Sequence, residues 1–306
     1  MIEQHQIDQF HRDGFLALRQ VFAGEELELL RLAADRVQAD GVAGLGRDHR
    51  YHRFPDGIEV YHRSEGLWDR DPIFAAATAQ PCLLEAIGQC LGHPFLPIES
   101  TLACQIPFGK VPLPWHQNPP YGDPGRQRTF GIPNFAAGIY LDHATRENGC
   151  LWSIGGHHLV GHVELENLSE EDLFSRSRPL EMAPEDVLFQ ALAAPRGGRG
   201  NPTPLNHRSF EVHCLARPVL EDGYPGWHQR GFGPEGAALA QRMVDLRHSL
   251  GLVDGEACRV SLDAEGFSFT GQPGTPPCHW ATLVGQMPPA EIQRRKQLLA
   301  PTGDPR

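Results

Sequence analysis

The sequence predicts an α+β fold, with helices in the first ninety residues and a barrel or sandwich of short strands after them. Apolar residues recur at helical spacing up to Leu91, and segments of β character follow one another after residue 95. The chain also carries 27 prolines and 33 glycines, many of them clustered between those segments. Such punctuation favours a loop-rich β architecture over a helical bundle or βαβ units.

Taken in order, Ile7 and Phe10 followed by Gly14 predict a short helix stopped by glycine, and Phe15 to Leu18 a short strand. Leu27, Leu30, Ala33 and Ala34 form a core-facing stripe on a helix over 25–37. Residues 41–63, rich in Gly, Arg and His, are expected to loop over the surface. A second helical stretch, 71–91, carries Ile73, Phe74, Leu83, Leu84 and Ile87. Strands are then expected over 100–106, 136–141, 149–154, 186–192 and 209–215, with one further helix over 236–250. Helices first and strands afterwards make one domain over 1–306 with a single core.

The formal net charge of −11 argues against a nucleic-acid partner, because no large basic surface would release phosphate counterions. No apolar run approaches the roughly 20 residues that span a bilayer, and the opening segment lacks the pattern of a secretory signal. The seven cysteines are odd in number and never spaced Cys-x-x-Cys, so a reduced, cytoplasmic setting is expected. Phosphate-loop, dinucleotide and nucleophile-elbow signatures are absent.

The informative segments are Leu113-Pro-Trp-His-Gln-Asn-Pro-Pro, then Gly138 to Trp152, Gly155-Gly-His-His-Leu-Val-Gly, Glu185-Asp-Val-Leu-Phe, and Arg208. Together with the opening Asp8-Gln-Phe-His-Arg-Asp-Gly-Phe they resemble the phytanoyl-CoA dioxygenase (PhyH) family of iron(II)/2-oxoglutarate oxygenases. The resemblance runs in order over about 5–217. It implies a double-stranded β-helix, a jelly-roll (cupin-like) barrel with N-terminal and flanking helices and its site in the barrel mouth. Residues 218–306 would be a C-terminal extension, a lid or dimer surface, with Trp227, Phe232 and Trp280 as candidate caps.

Family members hold iron with a His-x-Asp pair and a distal His, leaving open positions for 2-oxoglutarate and oxygen. The resemblance puts His116 at the first position and Asn118 at the second. In family members the distal His lies ten residues after the aspartate matching Asp186 and five before the asparagine matching Asn201, so the resemblance puts Arg196 at the third. Asparagine is a weak neutral ligand, and arginine stays protonated with no lone pair to give. At 4 Å and an effective dielectric of about 20, a dication facing a guanidinium is repelled by about 8 kcal/mol. Metal binding is therefore not expected, and no cofactor with it. Arg208 matches the arginine that clamps the distal carboxylate of 2-oxoglutarate, a role suited to its planar fork. Gln105 and Trp115 join it as candidates for substrate or 2-oxoglutarate binding. Arg196, Arg199 and Arg208 would make an anion-attracting mouth. His143, His157, His207 and His213 are expected to be hydrogen-bonded structural histidines, and Asp142, Glu147, Asn148 and Gly149 turn residues.

Three functions follow. The first is a small-molecule tailoring enzyme of specialised metabolism that works without metal, by redox-neutral acid/base chemistry such as cyclisation, isomerisation or elimination. His116 would be its acid/base, and Asn118 and Arg196 would polarise the substrate, which could be anionic. The second is a genuine Fe(II)/2-oxoglutarate-dependent oxygenase with replacement ligands. The third is a silent partner in a heterodimer with an active PhyH homologue; a homodimer is the other expected assembly.

Overall fold

Helix α1 (Gln4–Asp13) starts on a capping box formed by Glu3 and Gln6 and ends on Gly14, left-handed at φ +83°. The computed structural model describes residues 2–118, 135–160, 164–216, 234–252, 259–264, 266–270 and 288–298. Strand β1 (Phe15–Leu18) follows α1, and α2 (Gly24–Val42) then buries Leu27, Leu30, Ala33, Ala34, Val37 and Gly41 along one face. The helix expected over 71–91 is two helices, α3 (Pro72–Thr78) and α4 (Pro81–Leu91). Pro81 has no N–H with which to continue α3, yet it opens α4 well, because a first-turn donor has no intrahelical partner to lose. Asp71 caps α3 by accepting from the Ile73 N–H, and Gln80 caps α4 by accepting from the Leu83 N–H.

Residues 41–63 are not the surface loop their composition predicts. Helix α2 runs on to Val42, and β2 (His49–Arg53) pairs with β3 (Glu59–Glu65) as a hairpin. Its second strand docks on β4 (Phe95–Gln105), with Arg63 opposite Ala103 and Glu65 opposite Thr101. Tyr61 anchors the hairpin: its ring lies over Gly41, where an added Cβ would stand 2.3 Å from the nearest ring carbon. Gly41→Ala is therefore expected to destabilise the protein by about 1–3 kcal/mol, read as a lower urea midpoint.

The remaining strands are β5 (Leu113–His116), β6 (Phe135–Tyr140), β7 (Leu151–Ser153), β8 (Arg178–Leu180), β9 (Val187–Ala191), β10 (Arg196–Gly198), β11 (His207–Ala216), β12 (Val260–Asp263) and β13 (Gly266–Phe269). The larger sheet runs β1-β9-β6-β11-β4-β13-β12, with β3 also on β4 and β2 on β3; the smaller runs β5-β10-β7-β8. Two antiparallel sheets with helices on one flank are the α+β jelly-roll arrangement the resemblance implies.

Strand parity gives the large sheet two chemistries. Phe210 and Val212 of β11 face the helices and join the main core, where the Phe210 ring lies 5.0 Å from that of Phe74. The alternate residues His207, Ser209, Glu211 and His213 face the space between the sheets. Helix α5 (Pro234–Ser249) packs on α3 and is tied to α2 by a buried Arg247–Glu26 pair. Strand β13 meets β4 at Phe267 and Phe95. Helix α6 (Pro289–Leu298) reaches the barrel through the Arg295 carbonyl, which lies 3.0 Å from the His157 Nε2. Trp227, Phe232 and Trp280, the candidate caps, lie outside the described residues.

Candidate functional site

Between the two sheets lies a cavity of about 1140 Å³. Its floor is the inner face of the large sheet, and the cross-strand register sorts that floor into rows. One row reads Arg63, Ala103, Ser209, Tyr140; the next reads Glu65, Thr101, Glu211, Gly138, Leu188; a third reads Glu99, His213, Ala136, Gln190. The facing wall is the small sheet, which contributes Leu113, His116, Arg196 and Gly198, with Asn118 just beyond β5.

His116 and Arg196 are direct cross-strand partners on β5 and β10, so their side chains are near neighbours on one wall. Arg196 is buried, and one of its terminal nitrogens donates to the Leu192 carbonyl at 2.8 Å. The His116 Nδ1 lies 2.8 Å from the Pro114 carbonyl. A carbonyl can only accept, so Nδ1 carries the proton and Nε2 keeps its lone pair. Burial, aided by the Arg196 charge, lowers the His116 pKa to about 4, which keeps the ring neutral at physiological pH. The Asn118 backbone N–H donates to the Leu192 carbonyl at 3.0 Å, and the residue lines the cavity beside this pair. Gln105 also lines it, opposite His207, while its side-chain nitrogen donates to the Val111 carbonyl. The three candidate catalytic residues and Gln105 thus share one cavity.

Arg208 and Trp115 do not. Arg208 sits between His207 and Ser209 on β11, and parity turns it to the helix side of the sheet. There its Nε and one terminal nitrogen grip Asp142 at 2.7 and 3.1 Å, and its other terminal nitrogen bonds Asp35 of α2. Its planar fork is filled by this chain's own carboxylates, which corrects the expectation that it holds 2-oxoglutarate or substrate. Trp115 alternates with His116 and points outward, packing edge-on against Phe174 with 5.3 Å between ring centroids. Arg199 is exposed and lies 4.3 Å above the Phe174 ring, so the expected three-arginine mouth is not assembled. Positive charge reaches the cavity from Arg196 and from Arg50, Arg63 and Arg70 instead.

The other histidines divide the same way. His157 is buried with a backbone carbonyl facing each ring nitrogen, Gly155 at Nδ1 and Arg295 at Nε2, to one of which its single N–H donates, and His143 is exposed at a turn where Asn148 donates to its carbonyl. His207 and His213 line the cavity. Glu99, Glu211, Arg63 and Gln190 are cavity residues that the sequence reading missed. Counting by twos from His207 along β11 would have found Glu211; nothing in composition marks the other three. Burial pushes Glu211 up, and burial followed by the Glu65 charge lifts Glu99 to about 7.

Burial also drives His158, His207 and His213 down to about 3, 4 and 3. The unfolded chain protonates each near 6.5, whereas the folded protein does so only at about pH 3 to 4. Folding stability is therefore complete above about pH 6.5 and falls as the pH drops toward 4. Glu99 runs oppositely, losing stability as the pH rises from about 4.5 to 7, and offsets only part of this. Urea midpoints at pH 7.0, 5.5 and 4.5 should fall in that order.

The sequence model of the family described as phytanoyl-CoA dioxygenase (PhyH) matches residues 10–198. The chain belongs to the PhyH family. No curated protein sequence matches it. Among solved structures, EvdMO1 shares 22% identity at a TM-score of 0.59, the match covering 69% of this chain and 49% of EvdMO1, about half its length. EctD from S. alaskensis with bound Fe shares 23% at 0.56, over 71% of this chain and 78% of EctD. The alpha ketoglutarate dependent epimerase SnoN from nogalamycin biosynthesis shares 14% at 0.57, over 70% and 83%. At such identities the likeness is one of fold.

The PhyH family implies iron(II) and 2-oxoglutarate. The three positions that the resemblance assigns to ligands do not fit the ion: one imidazole, one neutral amide and one guanidinium offer too few lone pairs and the wrong charge. Among the described residues, no three His, Cys, Asp or Glu side chains gather into a metal-binding group. The inner face of β11 offers Glu211, not arginine, to a 2-oxoglutarate carboxylate. Among the described residues no helix is long and apolar enough to cross a membrane.

Proposed function

We propose that this PhyH-family chain is a small-molecule tailoring enzyme that uses its barrel cavity for metal-independent, redox-neutral acid/base chemistry. The observation that carries the reading is the cross-strand pairing of Arg196 with His116. It sets a fixed cation beside a neutral imidazole, an arrangement suited to removing a proton next to a carbonyl. The His116 Nε2 takes a proton from the carbon, the electron pair moves onto the carbonyl oxygen, and the Arg196 guanidinium with the Asn118 amide holds the resulting enolate charge. Return of the proton to the other face, or to a neighbouring carbon, gives epimerisation or isomerisation; loss of a leaving group from the adjacent carbon gives elimination. No electron acceptor is consumed.

Tailoring of a specialised metabolite accords with two structural neighbours, the epimerase SnoN and the carbocyclase SnoK of nogalamycin biosynthesis. Those enzymes are alpha ketoglutarate dependent; on this chain the donor chemistry supports proton transfer instead. His116→Ala is expected to lower turnover about 10²- to 10⁴-fold, the usual contribution of a general base, while EDTA leaves the parent enzyme unchanged. The paired test is an anaerobic titration with iron(II) and 2-oxoglutarate, expected to give no visible charge-transfer band. A clear band together with EDTA-sensitive turnover overturns the proposal in favour of the oxygenase reading.

A further inference from the structure

The third row of the cavity floor holds two buried polar atoms that make no hydrogen bond. Gln190 of β9 is 6% exposed, lines the cavity, and its side-chain nitrogen makes no hydrogen bond. At the other end of the row, the Glu99 Oε2 likewise makes no hydrogen bond; its ion-pair neighbour, the His213 Nδ1, stands 3.6 Å away. Between them the floor dips. Ala136 separates His213 from Gln190, and Gly138 separates Glu211 from Leu188 in the next row. An unpaired buried amide is costly to a folded protein, so native structures retain few of them without a use.

We propose that the hollow over Ala136 and Gly138 is a recognition subsite for a neutral group carrying a carbonyl oxygen and an adjacent N–H or O–H, as in a lactam, a carboxamide or a hydroxy-ketone. The carbonyl accepts from the Gln190 amide nitrogen, and the N–H or O–H donates toward Glu99 or Glu211. The row itself, Glu99, His213, Ala136 and Gln190, carries no fixed cation, which sets this end of the cavity apart from an anion site. Burial holds both carboxyls toward their neutral form, so accepting a donor leaves no new charge buried. The groups facing the hollow's titratable members are Arg63 and Glu65 from β3, Arg196 from β10, and His213 with Glu211 from β11.

This inference rests on reading the cavity as a substrate site. Its test reads binding alone, so it can fail while the acid/base reading stands, and the reverse. The probes are 2-pyrrolidone, N-methyl-2-pyrrolidone and acetate, followed by ligand-observed NMR against the full chain. 2-Pyrrolidone is expected to bind at least fivefold more tightly than its N-methyl analogue, which has lost the donor, and than acetate. Gln190→Met, close in shape, should weaken 2-pyrrolidone at least fivefold and raise the ligand-free Tm by about 2 °C or more, because the unpaired amide is gone. No binding of 2-pyrrolidone, equal binding of the N-methyl compound, or a Gln190→Met chain that binds as well as the parent overturns the proposal. So does a lowered Tm in that variant, which would mark Gln190 as a structural residue.

Discussion

The double variant N118D/R196H is expected to bind iron(II) at least a hundredfold more tightly than the parent chain. His116 and Arg196 face each other across β5 and β10, so an imidazole at 196 would stand beside the one at 116. The change removes a guanidinium whose repulsion of a dication is about 8 kcal/mol at 4 Å and an effective dielectric of about 20, and it adds a carboxylate of opposite sign. If only a third of that repulsion operates in the real cavity, about 2.7 kcal/mol, affinity still changes a hundredfold at 1.4 kcal/mol per decade. Anaerobic calorimetry with ferrous ion, run on both single variants and the double, separates the charge effect of Arg196→His from the ligand effect of Asn118→Asp. Equal affinity in parent and double variant would mean that these positions do not govern metal binding.

Arg208→Met is expected to destabilise the fold by about 3 kcal/mol, the usual cost of removing one partner from a buried ion pair. Its side chain is 6% exposed and joins Asp142, at the turn after β6, to Asp35 on α2. Methionine fills the volume but leaves the Asp142 carboxylate, only 20% exposed, without its fork. A fall in the urea midpoint with unchanged binding of small anions would agree with this structural role. The opposite split, unchanged stability with lost anion binding, would return Arg208 to the cavity. Arg208→Lys tests the geometry separately, because an ammonium keeps the charge but cannot match the two-pronged contact.

Much of the fold was legible in sequence because its signals are local. Gly14 ends α1 by backbone chemistry alone, and the stripe from Leu27 to Val37 faces the core as its spacing requires, whereas the break at Pro81 inside the helical stretch over 71–91 was read through because apolar spacing continues across it. The hairpin over 49–65 was illegible for a physical reason. Its strands carry His, Arg and Glu on both faces, so the alternation that marks a half-buried strand is missing, and pairing with β4 supplies what side-chain patterning does not. The site divides along the same line. His116, Asn118 and Arg196 could be placed by order and spacing, which survive in a linear string. Arg208 and Trp115 were misplaced because spacing does not say which face of a strand a residue occupies, and a one-residue step reverses it. Glu99, Arg63 and Gln190 escaped because only register brings them together; they lie far apart in the chain and in three different strands.

The β2–β3 hairpin has one more consequence. It is a single unbroken stretch, held at its ends by α2 and by the run into α3, yet it furnishes Arg50, His52, His62, Arg63 and Glu65 to the chamber. Chemical selectivity is therefore encoded partly in a cassette outside the barrel's own staves. Grafting another hairpin between residues 49 and 65, with Tyr61 and Gly41 kept as the joint, would refurnish one side of the chamber without disturbing His116, Arg196 or the strands that carry them.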